Sequence, residues 1–262
     1  MLILLPVTVE AQQRQAPDRE VALEGAVNFR DLGGYLTTDF RRISMGRIYR
    51  AGDISRLTDA DMEEIKRRKI YNVIDFRGED EAAAAPDRLL HGAGYIRLPA
   101  GSEKSADWAS FTQGYASGTE IMIAFYSDVS VFRERYRPFF RQLLMLPDTS
   151  AVVFHCSAGK DRTGIAAALF LYALDVPMET IMSDYVATNY YRRAENEIII
   201  DSLANEGYDR RMAAELMEAN PLYLETAFQA LKRQYGSVDS FLYRELGMNE
   251  AARFRLREKF LQ

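Results

Sequence analysis

Up to about residue 176, apolar residues fall in two alternating patterns, short runs and helical spacings; beyond it only the helical spacing continues. Short apolar runs bounded by turn residues predict strands in RRISMGRIYRAG (41–52), IYNVIDFRG (70–78), YIRLP (95–99) and AVVFHC (151–156). DREVALEGAV (18–27) can pair as an extended segment. NFRDLGGY (28–35) follows as a turn-rich loop in which Gly33 and Gly34 are free to take positive φ. Spacings of three and four predict a helix from Thr58 to about Lys69, with Thr58 as N-cap and Asp61 completing a short-chain capping box. A second helix is predicted over 119–146, where Phe125, Val129, Phe132, Tyr136, Phe139, Phe140, Leu143 and Leu144 share a spacing. TGIAAALFLYALDV (163–176) is apolar nearly all round, which predicts a central helix.

After Pro177 the pattern is helical almost to the end, with Gly207, Gly236 and Gly247 at plausible stops and Pro221 at a plausible first turn. The expectation is therefore an α/β fold: a small, mostly parallel central sheet flanked by helices, with a helical C-terminal half. Residues 18–262 are expected to form one domain, with 190–262 a possible lid. The polar stretch 101–118, which holds the sole tryptophan, reads as a mobile segment at the mouth of a site.

Composition narrows the function classes. The chain has 262 residues, 48% hydrophobic and 27% charged, which excludes a disordered or low-complexity protein. A net charge of −5 argues against a broad nucleic-acid footprint, so an anionic ligand must be caught by a local basic pocket. One cysteine excludes an internal disulfide and cysteine-rich zinc sites, and with only His91 and His155 no histidine-based metal cluster is expected. The expectation is no metal and no cofactor. The N-terminal MLILLPVTVEAQQ lacks a basic leader and is interrupted by Pro6; residues 1–17 read as a first strand or as a targeting remnant. No stretch is long enough to span a membrane. A cytoplasmic address is expected, a secreted or periplasmic one being the alternative, and the sequence sets no oligomeric state.

The single cysteine lies in AVVFHCSAGKDRTG (151–164), a strand, tight loop and helix in succession. The first N–H groups of a helix are unpaired and its dipole is positive at that end, so this order of elements builds an anion trap. Backbone N–H groups from Ser157, Ala158, Gly159, Lys160, Asp161 and Arg162 can converge as a nest for phosphate oxygens, with Gly159 taking a conformation other residues resist. Arg162 returns to the same face and can grip two oxygens. A thiol at such a position is favoured as the thiolate, which makes Cys156 a candidate nucleophile. A nucleotide-binding loop does not fit, because Asp161 stands where a metal-binding hydroxyl is needed.

The pattern H-C-x-x-G-x-x-R followed by Thr resembles the phosphate-binding loop of the cysteine-dependent protein tyrosine phosphatase superfamily. HCSAGKDRTG, with NFRDLGGY upstream and DYVATN downstream, resembles a bacterial subgroup of atypical tyrosine, dual-specificity and phosphoinositide phosphatases, from about residue 20 to the C-terminus. The resemblance implies a phosphomonoester hydrolase working through a phosphocysteine intermediate, with a phosphorylated protein or a phosphoinositide as substrate. A phosphate-reading module that binds without turnover is the reading from another class.

Such hydrolysis needs a carboxylic acid to protonate the leaving oxygen and then a carboxylate to activate water. Asp161, inside the loop, and Asp75, at a strand end, are the two candidates; each has an ion-pair reading beside it, with Arg162 and Arg77 respectively. Lys160 meets a second phosphate or is a solvated loop charge. His155 is expected to support the loop and bias the thiol, and Thr163 to donate to the cysteine sulfur or cap the helix. Arg30, Asp31, Arg50 and Arg77 either ring the site or form ordinary ion pairs, and Asp184, Tyr185 and Asn189 are assigned to packing.

Overall fold

The computed structural model describes residues 19–101 and 108–262. Within them, β1 (Arg30–Asp31), β2 (Ile48–Ala51), β3 (Ile70–Asp75), β4 (Gly94–Arg97) and β5 (Ala151–His155) form one sheet in the order β1-β2-β5-β3-β4. Only β1 runs antiparallel to its neighbour; β2, β5, β3 and β4 are mutually parallel. β5 is buried at every residue, and its period-2 alternation divides two clusters. Val152 and Phe154 join the larger core, while Ala151 and Val153 join a smaller one with Phe29, Tyr49, Ile65 and Val73.

Parallel neighbours need crossovers, and helices supply them. The first, α1 (Asp59–Arg67), leads from β2 to β3. Its predicted cap is present: Thr58 accepts from Asp61 N at 3.2 Å and Asp61 accepts from Thr58 N at 2.8 Å. After β3 comes α2 (Glu79–Ala84), and between β4 and β5 lie α3 (Trp108–Thr112), α4 (Gly118–Ser127) and α5 (Phe132–Met145). The predicted helix over 119–146 is thus two helices. Asp128 accepts from Ser130 N at 3.3 Å, a local turn that competes with helical continuation. The strand predicted from residue 41 begins only at Ile48; in the stretch before it, Ile43 instead bridges to Leu261. Of the two glycines expected at positive φ, Gly34 has it (φ 86°). Gly33 is required by the close approach of Met45, whose Cα would stand 2.5 Å from an added Cβ.

Following β5, α6 (Arg162–Ala173) is buried at ten positions from Thr163 to Ala173, as its all-round apolar sequence demands. The tail continues through α7 (Met178–Val186), α8 (Thr188–Tyr191), α9 (Arg193–Asn205), α10 (Arg210–Met217), α11 (Pro221–Tyr235), α12 (Val238–Arg244) and α13 (Glu250–Phe260). The range 190–262 anticipated as a possible lid divides in two. α11 to α13 place Tyr223, Leu224, Phe241, Leu256 and Phe260 in the main core, whereas α9 and α10 bury few side chains. The N-terminal reading of residues 1–17 and most of the polar segment before Trp108 lie outside the described residues. No helix among the described residues is long and apolar enough to cross a membrane.

Candidate active site

β5 sits between β2 and β3, so the chain reverses its order along the sheet at β5, and the crevice beyond the carboxyl ends of these strands is where open α/β sheets take ligands. The loop from Cys156 to Asp161 occupies it, between the end of β5 and the first turn of α6. Its conformation is fixed from outside. Asp53 N donates to the Ser157 carbonyl at 3.0 Å, Asn28 Nδ2 to the carbonyls of Ala158 and Gly159 at 3.1 Å each, Arg192 Nη1 to Ala158 O at 3.2 Å and Arg50 Nη2 to Gly159 O at 2.7 Å. With three successive carbonyls bound by the surrounding scaffold, the peptide planes turn their N–H groups the other way, which is the arrangement an anion nest requires. Gly159 has φ 67°, and a Cβ there would stand 2.3 Å from the Ala51 carbonyl. No other residue fits.

The braces are themselves braced. Asp184 binds Arg30 Nε at 3.0 Å and Arg50 Nη1 at 2.6 Å, all three side chains at most 2% exposed. Burial would push the Asp184 carboxyl up; the two guanidiniums outweigh it and hold it well below the usual carboxylate range. Arg30, Arg50 and Asp184 therefore act behind the loop rather than around its mouth, and Asp184 does more than pack. Tyr185 and Asn189 reach the same region, Tyr185 through Tyr126 and Asn189 through both backbone groups of Ala219.

Cys156 is 2% exposed, at the floor of the loop. Arg162, Lys160 and Arg192 all act on it electrostatically. Arg162 is held by a partner that sequence reading missed: Glu81, on α2, takes Nη1 at 2.5 Å and Nη2 at 2.8 Å, and also accepts from Ser157 Oγ at 2.5 Å and Gly78 N at 3.0 Å. Burial raises the Glu81 carboxyl, but Arg162 and Ser157 outweigh it and lower it to about 2. Its signal was its place, in the first turn after a strand that ends at the crevice. Arg192, at the junction of α8 and α9, carried no comparable signal.

The two acid candidates separate. Asp75 is fully buried; Arg77 donates to both its oxygens at 2.9–3.0 Å, and Tyr95 adds a hydroxyl at 3.0 Å. Burial raises this carboxyl, and Arg77 and His155 more than reverse it. Asp161 is 26% exposed, accepts from Tyr126 at 2.8 Å and lies 3.5 Å from Lys160 Nζ. Lys160 is not a solvated charge: it is 3% exposed and donates to the carbonyls of Leu216 and Glu218, at the end of α10. Burial lowers its affinity for the proton, which Asp161 partly offsets.

His155 Nε2 lies 2.9 Å from Asp87 Oδ2, and its buried Nδ1 finds no partner among the described residues. Thr163 Oγ1 is buried and finds no partner among the described residues, neither sulfur nor helix end. Asp75, Asp87 and His155 stand close enough to share a cation, but Arg77 already supplies one, binding Asp75 and Asp87 together.

A family model described as "Tyrosine phosphatase family" matches residues 21–262. A Cupriavidus necator protein bearing the name of a tyrosine-protein phosphatase is 31% identical, over 85% of this chain and 82% of its own. The triple specificity protein phosphatase PtpB of Mycobacterium tuberculosis is 26% identical, over 90% of this chain and 96% of its own. The crystal structure of Pseudomonas aeruginosa TpbA aligns with 69% of this chain and 91% of that one, at 15% identity and a TM-score of 0.31. With a matching model across nearly the whole chain and a relative above 30% identity, the chain belongs to the tyrosine phosphatase family and is a phosphatase of the hydrolase class.

Proposed function

We propose that this phosphatase hydrolyses phosphotyrosine in proteins, and phosphoserine or phosphothreonine to a lesser degree, through a phosphocysteine intermediate and without a metal. The observation that carries the reading is the loop from Cys156 to Arg162, with its carbonyls of residues 157–159 bound from outside and Arg162 clamped above a buried thiol. Cys156 is the nucleophile; Ser157, Ala158, Gly159, Lys160, Asp161 and Arg162 supply the amides that hold the phosphoryl oxygens, and the Arg162 guanidinium completes their charge balance. Asp161 is the general acid and then the general base. Asp75, saturated by Arg77, is assigned a structural role with His155.

A phosphoinositide substrate is the second reading, favoured by the likeness of HCSAGKDRTG, with a lysine inside the loop, to phosphoinositide phosphatases. The engagement of Lys160 by backbone carbonyls argues against that residue as a second phosphate anchor. Residues 18–262 are taken as one domain, with α9 and α10 its movable part.

The test is hydrolysis of p-nitrophenyl phosphate with chelator present, by the wild type, Cys156→Ser and Asp161→Asn. Chelator-resistant turnover that the serine variant abolishes supports the reading. Turnover retained by the serine variant overturns it, and a folded wild type that binds phosphotyrosine peptide without turning it over makes the protein a binding module.

A further inference from the structure

Asp161 receives its neighbours on one oxygen. The Tyr126 hydroxyl donates to Oδ1 at 2.8 Å, Lys160 Nζ lies 3.5 Å from the same atom, and among the described residues no donor is directed at Oδ2. We propose that Tyr126 is a positioning residue that reserves Oδ1 as an acceptor and so assigns the transferable proton of Asp161 to Oδ2; the inference rests on the reading of Asp161 as the acid.

A carboxylic acid carries its proton on one oxygen and keeps acceptor capacity on the other. A hydroxyl donor at 2.8 Å and an ammonium charge at 3.5 Å from Oδ1 make it the oxygen that stays unprotonated. In the first step the S–P bond forms as the P–O bond to the leaving group breaks. The electron pair of that bond stays on the leaving oxygen, which takes the Oδ2 proton and leaves Asp161 as a carboxylate. In the second step Oδ2 takes a proton from water as the water oxygen bonds to phosphorus, and the S–P pair returns to sulfur.

Tyr126 suits this post because it does not ionise. Its side chain is fully buried; burial first, then the charge of Asp161 and the neighbouring Tyr185, push its phenol well above the ordinary value. Its one hydrogen is committed to Asp161, so Tyr185, whose hydroxyl is 2.9 Å away, donates into the Tyr126 oxygen. A directed chain results, Tyr185 to Tyr126 to Asp161, in which each bond polarises the next. Edge-to-face packing of the two rings, 6.2 Å between centroids, holds the chain in line across α4 and α7.

Leaving-group dependence tests this, because loss of fold or of phosphate affinity affects all esters alike. kcat/KM is measured for p-nitrophenyl phosphate, whose phenolate departs with little help, and for phenyl phosphate, whose does not. Tyr126→Phe is expected to lose about tenfold on phenyl phosphate, the size of one hydrogen bond to a charged group, and less than about twofold on p-nitrophenyl phosphate. Asp161→Asn is expected to lose about a hundredfold or more on phenyl phosphate, and the double variant no more than that. Tyr185→Phe, which leaves the donor to Asp161 in place, is expected to show a smaller loss of the same kind. Equal losses of Tyr126→Phe on both esters, or a loss that multiplies with that of Asp161→Asn, overturn the role of Tyr126. An Asp161→Asn variant that treats both esters alike overturns the reading of Asp161 instead.

Discussion

Arg50, near the end of β2, donates to the carbonyl of Gly159 at 2.7 Å, joining two points 109 residues apart in the chain. The contact links the sheet to the phosphate loop, and its geometry depends on Asp184, which holds the other end of the same guanidinium.

Asp184→Asn leaves Arg30 and Arg50 buried without their anion. The cost of removing one partner from such a group is about 3–5 kcal/mol, so the variant should unfold at markedly lower urea concentration. Conversely, material that still folds should bind orthovanadate more weakly than the wild type. Chemical denaturation followed by a vanadate titration measures both.

Gly159→Ala should be nearly inactive although most of the fold survives. A methyl group at that position meets the Ala51 carbonyl and the residue must keep φ near 67°, so the loop has to open. We expect at least about a thousandfold loss in kcat/KM, of the size that removing oriented amide donors produces, with an unchanged far-ultraviolet circular dichroism spectrum.

Glu81→Gln removes the carboxylate that fixes the Arg162 fork. Turnover should fall by about tenfold, chiefly in kcat/KM, because the guanidinium must now be ordered by the substrate. The Glu81 carboxyl is depressed from its ordinary 4.5 to about 2, so its stabilising contribution is fully present above about pH 4.5 and is lost as pH falls through about 2. The activity profile of the wild type between pH 5 and 8 should therefore have the same shape as that of the variant, at higher amplitude.

Lys160→Met should release the end of α10 and also remove the ammonium beside Asp161 Oδ1, with little effect on an ester whose leaving group needs no help from Asp161. Its ammonium is bound to the carbonyls of Leu216 and Glu218, so limited proteolysis between residues 205 and 220 should accelerate, with p-nitrophenyl phosphate turnover within about fivefold of wild type. The ratio of phosphoinositide to phosphotyrosine hydrolysis should stay unchanged; a selective loss on phosphoinositide would mean the side chain leaves those carbonyls to meet the ligand.

Much of this was readable in the sequence because it is local. The strand, loop and helix around Cys156 follow from consecutive residues, and so do the Thr58 cap and the all-apolar helix from Arg162 to Ala173. What was not readable depends on contacts between distant segments. The place of Glu81 after β3 puts it near the crevice but does not name Arg162 as its partner, and Lys160 reads equally as a second phosphate anchor or a solvated charge until α10 is seen to end over it. In one dimension Asp161 is favoured over Asp75 only by its place inside the loop, since each stands within two residues of an arginine. Only the fold shows Arg77 saturating Asp75 and a tyrosine reaching Asp161. The break between α4 and α5 was missed for a different reason: the apolar spacing runs straight through it, and a side chain as small as Asp128 ends the helix.

The central position of β5 also governs how the molecule is made. β2 and β3 both pair with β5, whose residues follow those of β2 by about a hundred positions, so neither strand has its inner neighbour when it leaves the ribosome. At ordinary rates of synthesis that interval lasts about 5–20 s, during which two apolar strand edges stay open. The loop with Cys156 forms only when the last strand slots between them. The nascent chain should thus remain inert toward phosphate, and prone to associate through those edges, until the sheet closes.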